Sequence, residues 1–335
     1  MKKTLSTSTI IARIAVWLFL VSVAAITAIA LFSDLHKVFD LLRTFELTML
    51  PLIIAAVLFN YLLRFAKWCY FLRLIKVKVP FWQNLWVFFS AFTMVLSPGK
   101  IGELVKSFLL SKRFEIPVAK TAPVVMAERL TDLLGLMVLC SIGFTRFSFG
   151  GKTLAVVFGL LFFAVIALSS DKFWRAVEKF IAGFRRLEKL KRPVLMIKDS
   201  TNDLLGLKSL IIATSLSTLS WAGEGFALFL IFRSMNVDVP SLLLLAIFAH
   251  SFSSIVGALS FLPGGLLVTE GTMGMFFVYA SIPDAQALSA TFLIRAVTLW
   301  FAVIVGTLVF FIGRKPGDLE ALQLVSAGKS EAKNE

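Results

Sequence analysis

Cysteine is scarce in this sequence. The two present, Cys69 and Cys140, lie in or beside apolar stretches, with no Cys-x-x-Cys or Cys/His ligand spacing. That excludes a disulfide framework and a zinc-finger-type site, and no metal or cofactor is expected. Histidine is equally rare. Neither His36 nor His250 falls in a phosphatase or acyltransferase pattern, and His250, beside Ser251 in an apolar run, reads as packed or hydrogen-bonded in a core. Charge is sparse as well: 16% of residues are charged and 58% hydrophobic, with a mean hydropathy of +0.89. Soluble domains average about 25% charged, so a soluble globular protein is excluded. The acids are the rarer sign, 20 against 34 Lys and Arg, which leaves a net charge of +14. No basic stripe interleaved with exposed aromatics accompanies that excess, so no nucleic-acid partner is expected. Lys- and Arg-rich cytoplasmic loops facing an anionic leaflet account for it instead.

What the sequence has in abundance is long apolar segments, near residues 11–32, 48–65, 81–96, 101–111, 121–145, 153–170, 207–232, 241–262, 266–282 and 286–312. The expected fold is therefore all-α, a polytopic membrane helix bundle. The first segment exceeds the 7–15 residues of a signal-peptide core and is long enough to span the hydrocarbon, so it reads as a retained helix. Lys2, Lys3 and Arg13 place the N-terminus in the cytoplasm, and Arg64, Lys67, Arg73, Lys76 and Lys78 place the second junction there. Carried along the chain, this rule puts both termini inside. Segments 81–96 with 101–111 and 241–262 with 266–282 become re-entrant hairpins dipping in from opposite faces. A layout in which each hairpin arm spans fully is the alternative. Opposed hairpins are the layout of an inverted repeat; similarity between the halves is weak, so the repeat is read from topology. Residues 1–312 form one membrane domain and 313–335 a polar cytoplasmic tail with the composition of a disordered segment. Within 171–206, Phe173, Val177, Phe180, Phe184 and Leu187 mark one face of a basic helix with Trp174 at its edge. Such a helix fits either the cytoplasmic membrane surface or the protein's own flank.

Two proline-glycine breaks interrupt the apolar sequence, each followed by a carboxylate: Pro98-Gly99-Lys100-Ile101-Gly102-Glu103, and Pro263-Gly264-Gly265 ahead of Glu270. Such breaks free backbone groups, which lipid tolerates only where they are buried in protein or line a watery cavity. A matched pair of interrupted segments, one per half, points to a transporter's central site. A helix restarting after the break would aim its N-terminal N–H groups into the cavity, and Lys100 would add a cation, together suiting a phosphate. Glu128, Arg129, Asp132, Glu224 and Arg295 also lie within apolar segments, where each ionised group costs about 2.5–3.5 kcal/mol at mid-bilayer unless paired or hydrated. Glu128 and Asp132 share a helix face. Arg295 calls for a carboxylate, with Glu270 or Glu103 as first choices. Pairs that merely pin helices are the plain alternative to gating or cargo binding. Glu224, between Gly223 and Gly225, stands evenly between a packing and a functional reading.

In this order, Pro98 through Glu103, Glu128-Arg129-Leu130-Thr131-Asp132, Pro263-Gly264-Gly265 with Glu270-Gly271, and Arg295 with Trp300 resemble the flippase-like family named for the transmembrane region of lysylphosphatidylglycerol synthase. The resemblance runs from about residue 10 to 312. It implies the flipping or handling of membrane lipids or polyprenyl-linked glycans in a prokaryotic inner membrane. It also implies a stand-alone member lacking the soluble aminoacyl-transferase domain of bifunctional relatives. The family usually continues its second break with glycine and then a basic residue before the glutamate; here those places hold Leu267 and Thr269. The expected function is a flippase moving an anionic head group by alternating access, not an enzyme. The alternatives are a non-transporting subunit that recruits a glycosyltransferase or synthase, and an integral-membrane lipid-modifying enzyme.

Overall fold

The computed structural model describes residues 45–97, 102–144, 170–182 and 191–319, with scattered residues between 155 and 168 and Leu322. The expected helix at 11–32, most of segment 153–170, Pro98, Gly99 and Lys100 of the first break, and most of the tail lie outside the described residues.

All regular structure among the described residues is helical. Helix α1, Leu50–Leu74, follows a 3-10 turn and holds a proline in its first turn, where the missing N–H costs nothing. Its 25 residues rise about 37 Å, enough to cross a bilayer core. Phe65, Trp68, Phe71 and Leu72 continue its buried face well past the expected end of the segment. That carries Arg64 and Lys67 into the helix body. Their reading as junction charges is thereby corrected: Lys67 is buried and Arg64 nearly so. The first hairpin is α2, Phe81–Ser90, extended by a 3-10 turn to Met94, and α3, Val105–Phe114. Helix α4, Val118–Phe144, follows. The short helices α5, Asp171–Ala182, and α6, Lys191–Leu204, lead to the second half. There α7, Leu207–Ser234, precedes a hairpin of α8, Leu242–Leu259, and α9, Val268–Tyr279. The last element starts as α10, Asp284–Arg295, passes through a π-helical turn at Ala296–Trp300, and ends as α11, Phe301–Gly313.

Among the described residues, four helical runs are long and apolar enough to cross a membrane: Leu47–Leu74, Leu207–Ser234, Leu242–Leu259 and Asp284–Gly313. Helix α4 matches them in length but carries Lys120, Glu128, Arg129 and Asp132. The arms α2 and α3, of 10 residues each, rise only about 15 Å.

The two halves share more than layout. Val77-Lys78-Val79-Pro80 after α1 recurs as Val237-Asp238-Val239-Pro240 after α7. Both helices end on a left-handed residue, Lys76 (φ 55°) and Asn236 (φ 56°), with the next N–H donating back to Leu72 O and Phe232 O. The two hairpins likewise end in left-handed Glu115 (φ 57°) and Ser281 (φ 58°), each followed by Ile-Pro and the last helix of its half. In this register Asn60 and Ser220, 160 residues apart, are equivalent, and they touch: the Asn60 amide donates to Ser220 O at 2.9 Å and Oγ at 2.8 Å. Around that contact Gly223 faces Ala56 while Ser217 meets Lys67, so α1 and α7 run antiparallel. Equivalent residues meeting between antiparallel helices mark a two-fold axis crossing between them. The halves also exchange partners. Trp86 of the first hairpin donates to Val309 O and stacks on Phe310, while Phe248 of the second meets Phe144 of α4 edge-on.

On α5, Phe173 and Phe180 are exposed as the amphipathic pattern requires. Trp174 is not at the edge of that face. It is buried, with its indole N–H donating to Leu168 O at 2.8 Å, because α5 folds back on the turn before it.

Candidate functional site

The charges gather on the faces that α1, α4 and α7 turn toward one another. Lys67 Nζ lies 2.5 Å from Asp132 Oδ1 and donates to Ser217 Oγ at 2.7 Å, and Ser217 donates in turn to Asp132 at 3.0 Å. Lys106 on α3 is ion-paired with Glu128 and lies over the Trp68 ring. Glu128 and Asp132 thus share a face, as their spacing predicts, but serve different lysines. Arg129 Nη2 joins Glu103 Oε2 at 2.9 Å to Asp132 Oδ2 at 3.0 Å. Arg64 stands apart: its nearest carboxylate oxygen among the described residues, Glu103 Oε1, is 3.7 Å away. Charged groups this deep are held in place because removing either partner strands the other in a medium that cannot solvate it.

The second half repeats the central pair. Arg129 and Arg295 lie equally far beyond the two Ile-Pro steps, and Glu103 and Glu270 both follow a proline-glycine break. Arg295 Nε is 2.6 Å from Glu270 Oε1, which settles the partner of Arg295 between the two expected acids. The same guanidinium donates to Gly264 O at 2.6 Å, satisfying a carbonyl freed by the break. Leu267 and Thr269 leave no cation beside Glu270 in sequence; Arg295 supplies it from the neighbouring helix. Glu270 sits in the first turn of α9, so this helix start already carries its own anion. Glu224 Oε2 faces His250 Nε2 at 3.3 Å, and Tyr61 donates from its hydroxyl to Thr298 O at 2.8 Å.

Between these groups lies a cavity of about 380 Å³. Of the expected site residues, Glu103, Arg129, Asp132, Gly264, Gly265 and Arg295 line it. Glu128 and Glu270 stand behind as ion-pair partners. Pro263 opens the 3-10 turn that shapes the second break, where Gly264 (φ 61°) and Gly265 (φ 65°) take left-handed conformations. Gly102 is structural: its N–H donates to Ser97 Oγ at 2.6 Å, and a side chain there would strike Met94. Tyr61, Arg64, Lys67 and Lys106 were not foreseen as site residues. His250 is buried, as expected of a packed histidine, with Glu224 beside it, and both residues border the cavity. At one end the lining turns apolar and exposed, through Met126, Leu259, Phe261 and Leu262. Charged side chains are thus set into a largely apolar lining with an exposed apolar edge. Among the described residues no three His, Cys, Asp or Glu gather as a metal-binding set, and each site carboxylate faces a cation or His250.

The sequence profile of the Lysylphosphatidylglycerol synthase TM region matches residues 13–306. A UPF0104 membrane protein of Pyrococcus horikoshii is 22% identical over 326 residues, covering 89% of this chain and 97% of that protein. One of Methanocaldococcus jannaschii is 24% identical over 222 residues, covering 65% of this chain and 92% of its own. One of Methanothermobacter thermautotrophicus is 26% identical over 228 residues, covering 61% and 67%. With the profile spanning most of the sequence and both breaks inside it, the chain belongs to the family of the lysylphosphatidylglycerol synthase transmembrane region.

Proposed function

We propose that this membrane protein is a lipid carrier, moving the phosphate-bearing head group of a lipid or lipid-linked sugar through the cavity between its two halves while the tails stay in the bilayer. One observation carries the reading: a chamber lined by Arg64, Arg129 and Arg295 whose exposed rim is Met126, Leu259, Phe261 and Leu262. An amphiphile matches that arrangement end to end. Its phosphate exchanges water for guanidinium groups, and its chains cover apolar side chains that a small soluble ligand would leave bare. The carrier works without covalent chemistry. Glu103, Glu128, Asp132 and Glu270 are engaged in charge pairs that hold helices together, and a pair that opens on one side as its equivalent closes on the other provides a gate.

The two-fold relation supports alternating access, since a structure built from two equivalent halves can exchange their conformations. The junctions agree with an inverted arrangement. Lys76 and Lys78 after α1 correspond to Asn236 and Asp238 after α7, the bias expected of a cytoplasmic and an external loop. In this reading the hairpins dip in from opposite faces of a prokaryotic cytoplasmic membrane, with both termini inside. A photoactivatable phospholipid with its reactive group in the head group tests the reading. Cross-links should fall within 125–136 and 257–265 and be lost in Arg64→Gln. Labelling confined to the outer, lipid-facing surfaces would overturn it.

A further inference from the structure

Helix α5 presents three distinct sides. On one, Trp174 is buried, its indole N–H tied to Leu168 O at 2.8 Å, and Glu178 Oε1 pairs with Lys198 Nζ of α6 at 3.2 Å. Through α6, which packs along α4, this side fixes α5 to the body of the protein. On the second, Phe173, Ala176 and Phe180 fall within an arc of about 60°, and all three are exposed, the phenylalanines by 39% and 63%. On the third, Lys172, Arg175 and Lys179 share a neighbouring arc of similar width and are exposed as well. Packing on the protein's own flank is met by the tryptophan side alone, and it turns the phenylalanine side outward.

Position and charge decide what meets that outward side. The first turn of α5 is tied to Leu168 and Ser170, the end of an apolar segment. In that segment Val156, Leu160 and Phe163 are exposed by 62%, 61% and 72%, as on a helix that faces lipid. Helix α5 thus starts where the segment leaves the bilayer. Residues 171–192 carry eight Lys and Arg against three acids, the bias of a cytoplasmic loop, and the cytoplasmic leaflet is the anionic one. Three apolar side chains are few for a stable protein interface, which takes about 20–30 residues a side. A lipid surface adjoins the bilayer that the chain already occupies.

We propose that α5 lies in the cytoplasmic membrane surface, with Phe173, Ala176 and Phe180 among the acyl chains and Lys172, Arg175 and Lys179 against the phosphates of anionic lipids. This surface is separate from the cavity, and the proposal stands whether or not a lipid crosses there.

The test is the accessibility of a nitroxide at position 176, attached through Ala176→Cys in a chain lacking Cys69 and Cys140. One chain is placed in each nanodisc of phosphatidylcholine with rising phosphatidylglycerol. Collisions with a neutral, water-soluble nickel chelate should fall as phosphatidylglycerol rises. The combined Lys172→Gln, Arg175→Gln and Lys179→Gln variant should need far more of it for the same protection, since each lost cation weakens the surface-bound state about fivefold. High access at every composition would leave the strip in water. Protection that neither phosphatidylglycerol nor the triple variant changes would mean that the protein covers it, and protection only with two chains per disc would assign it to a second copy. Any of these three results overturns the inference.

Discussion

Leu267 is the residue whose backbone departs furthest from what its side chain prefers. It sits at φ 70°, ψ −46° just before α9, a region that a β-carbon disfavours by about 1–3 kcal/mol. A glycine is what that conformation calls for. Leu267→Gly should raise stability by about 1 kcal/mol, measured as the midpoint of thermal unfolding in detergent; a lowered midpoint would show that the exposed leucine contributes more through packing than its backbone costs. Lys67 shows the opposite case, a side chain whose removal strands its neighbour. Lys67→Met should destabilise by about 3–5 kcal/mol because Asp132 loses its nearer cation and keeps only Arg129 and the Ser217 hydroxyl. A second change, Asp132→Leu, should restore much of that loss on the same unfolding measurement, and failure to recover would deny that the pair is the cause. Arg64 and Lys67 escaped sequence reading for a physical reason. A cation at the end of an apolar run looks like a loop anchor unless the run is seen to resume, and Phe65, Trp68 and Phe71 were the signal that it does. The Glu270 pairing with Arg295 was legible because an arginine deep in an apolar segment needs an acid.

At the scale of elements, close approach is made by glycines facing particular partners. A β-carbon on Gly135 of α4 would lie 2.8 Å from Thr218 N of α7, and one on Gly225 of α7 would lie 2.7 Å from the Ile247 Cα of α8. Gly271 and Gly274 on α9 face open space. Gly135→Ala and Gly225→Ala should each lower the unfolding midpoint. Gly271→Ala and Gly274→Ala should leave it unchanged or raise it, since alanine favours a helix by about 0.5–1 kcal/mol over glycine. A uniform response across the four would contradict the packing described. The long elements were readable from hydropathy, and the hairpin breaks from their proline and glycine. The charged seam was not, because lateral contacts between α1, α4 and α7 join residues far apart in the chain and leave no spacing signature.

For the whole molecule, the two-fold relation makes Arg129 and Arg295 counterparts, each paired with a glutamate that follows a break, Glu103 and Glu270. Opening one pair should favour one orientation of the cavity and opening the other its reverse. In a chain lacking Cys69 and Cys140, with a single cysteine at position 262 on the rim, Glu103→Gln and Glu270→Gln should change the rate of labelling by a membrane-impermeant thiol reagent in opposite directions; shifts of the same sign would contradict the gating role. The repeat itself was foreseen only as a layout. Its residue register emerges from the turns, where Val-x-Val-Pro recurs and left-handed residues end corresponding helices, because the apolar faces between them tolerate free exchange of side chains and keep no memory of sequence. The most direct measurement is head-group translocation by the purified chain reconstituted alone in vesicles. A phospholipid with a fluorescent head group in the inner leaflet should become accessible to an external quencher with wild-type protein and remain protected with Arg64→Gln; wild-type vesicles indistinguishable from protein-free ones would contradict the account.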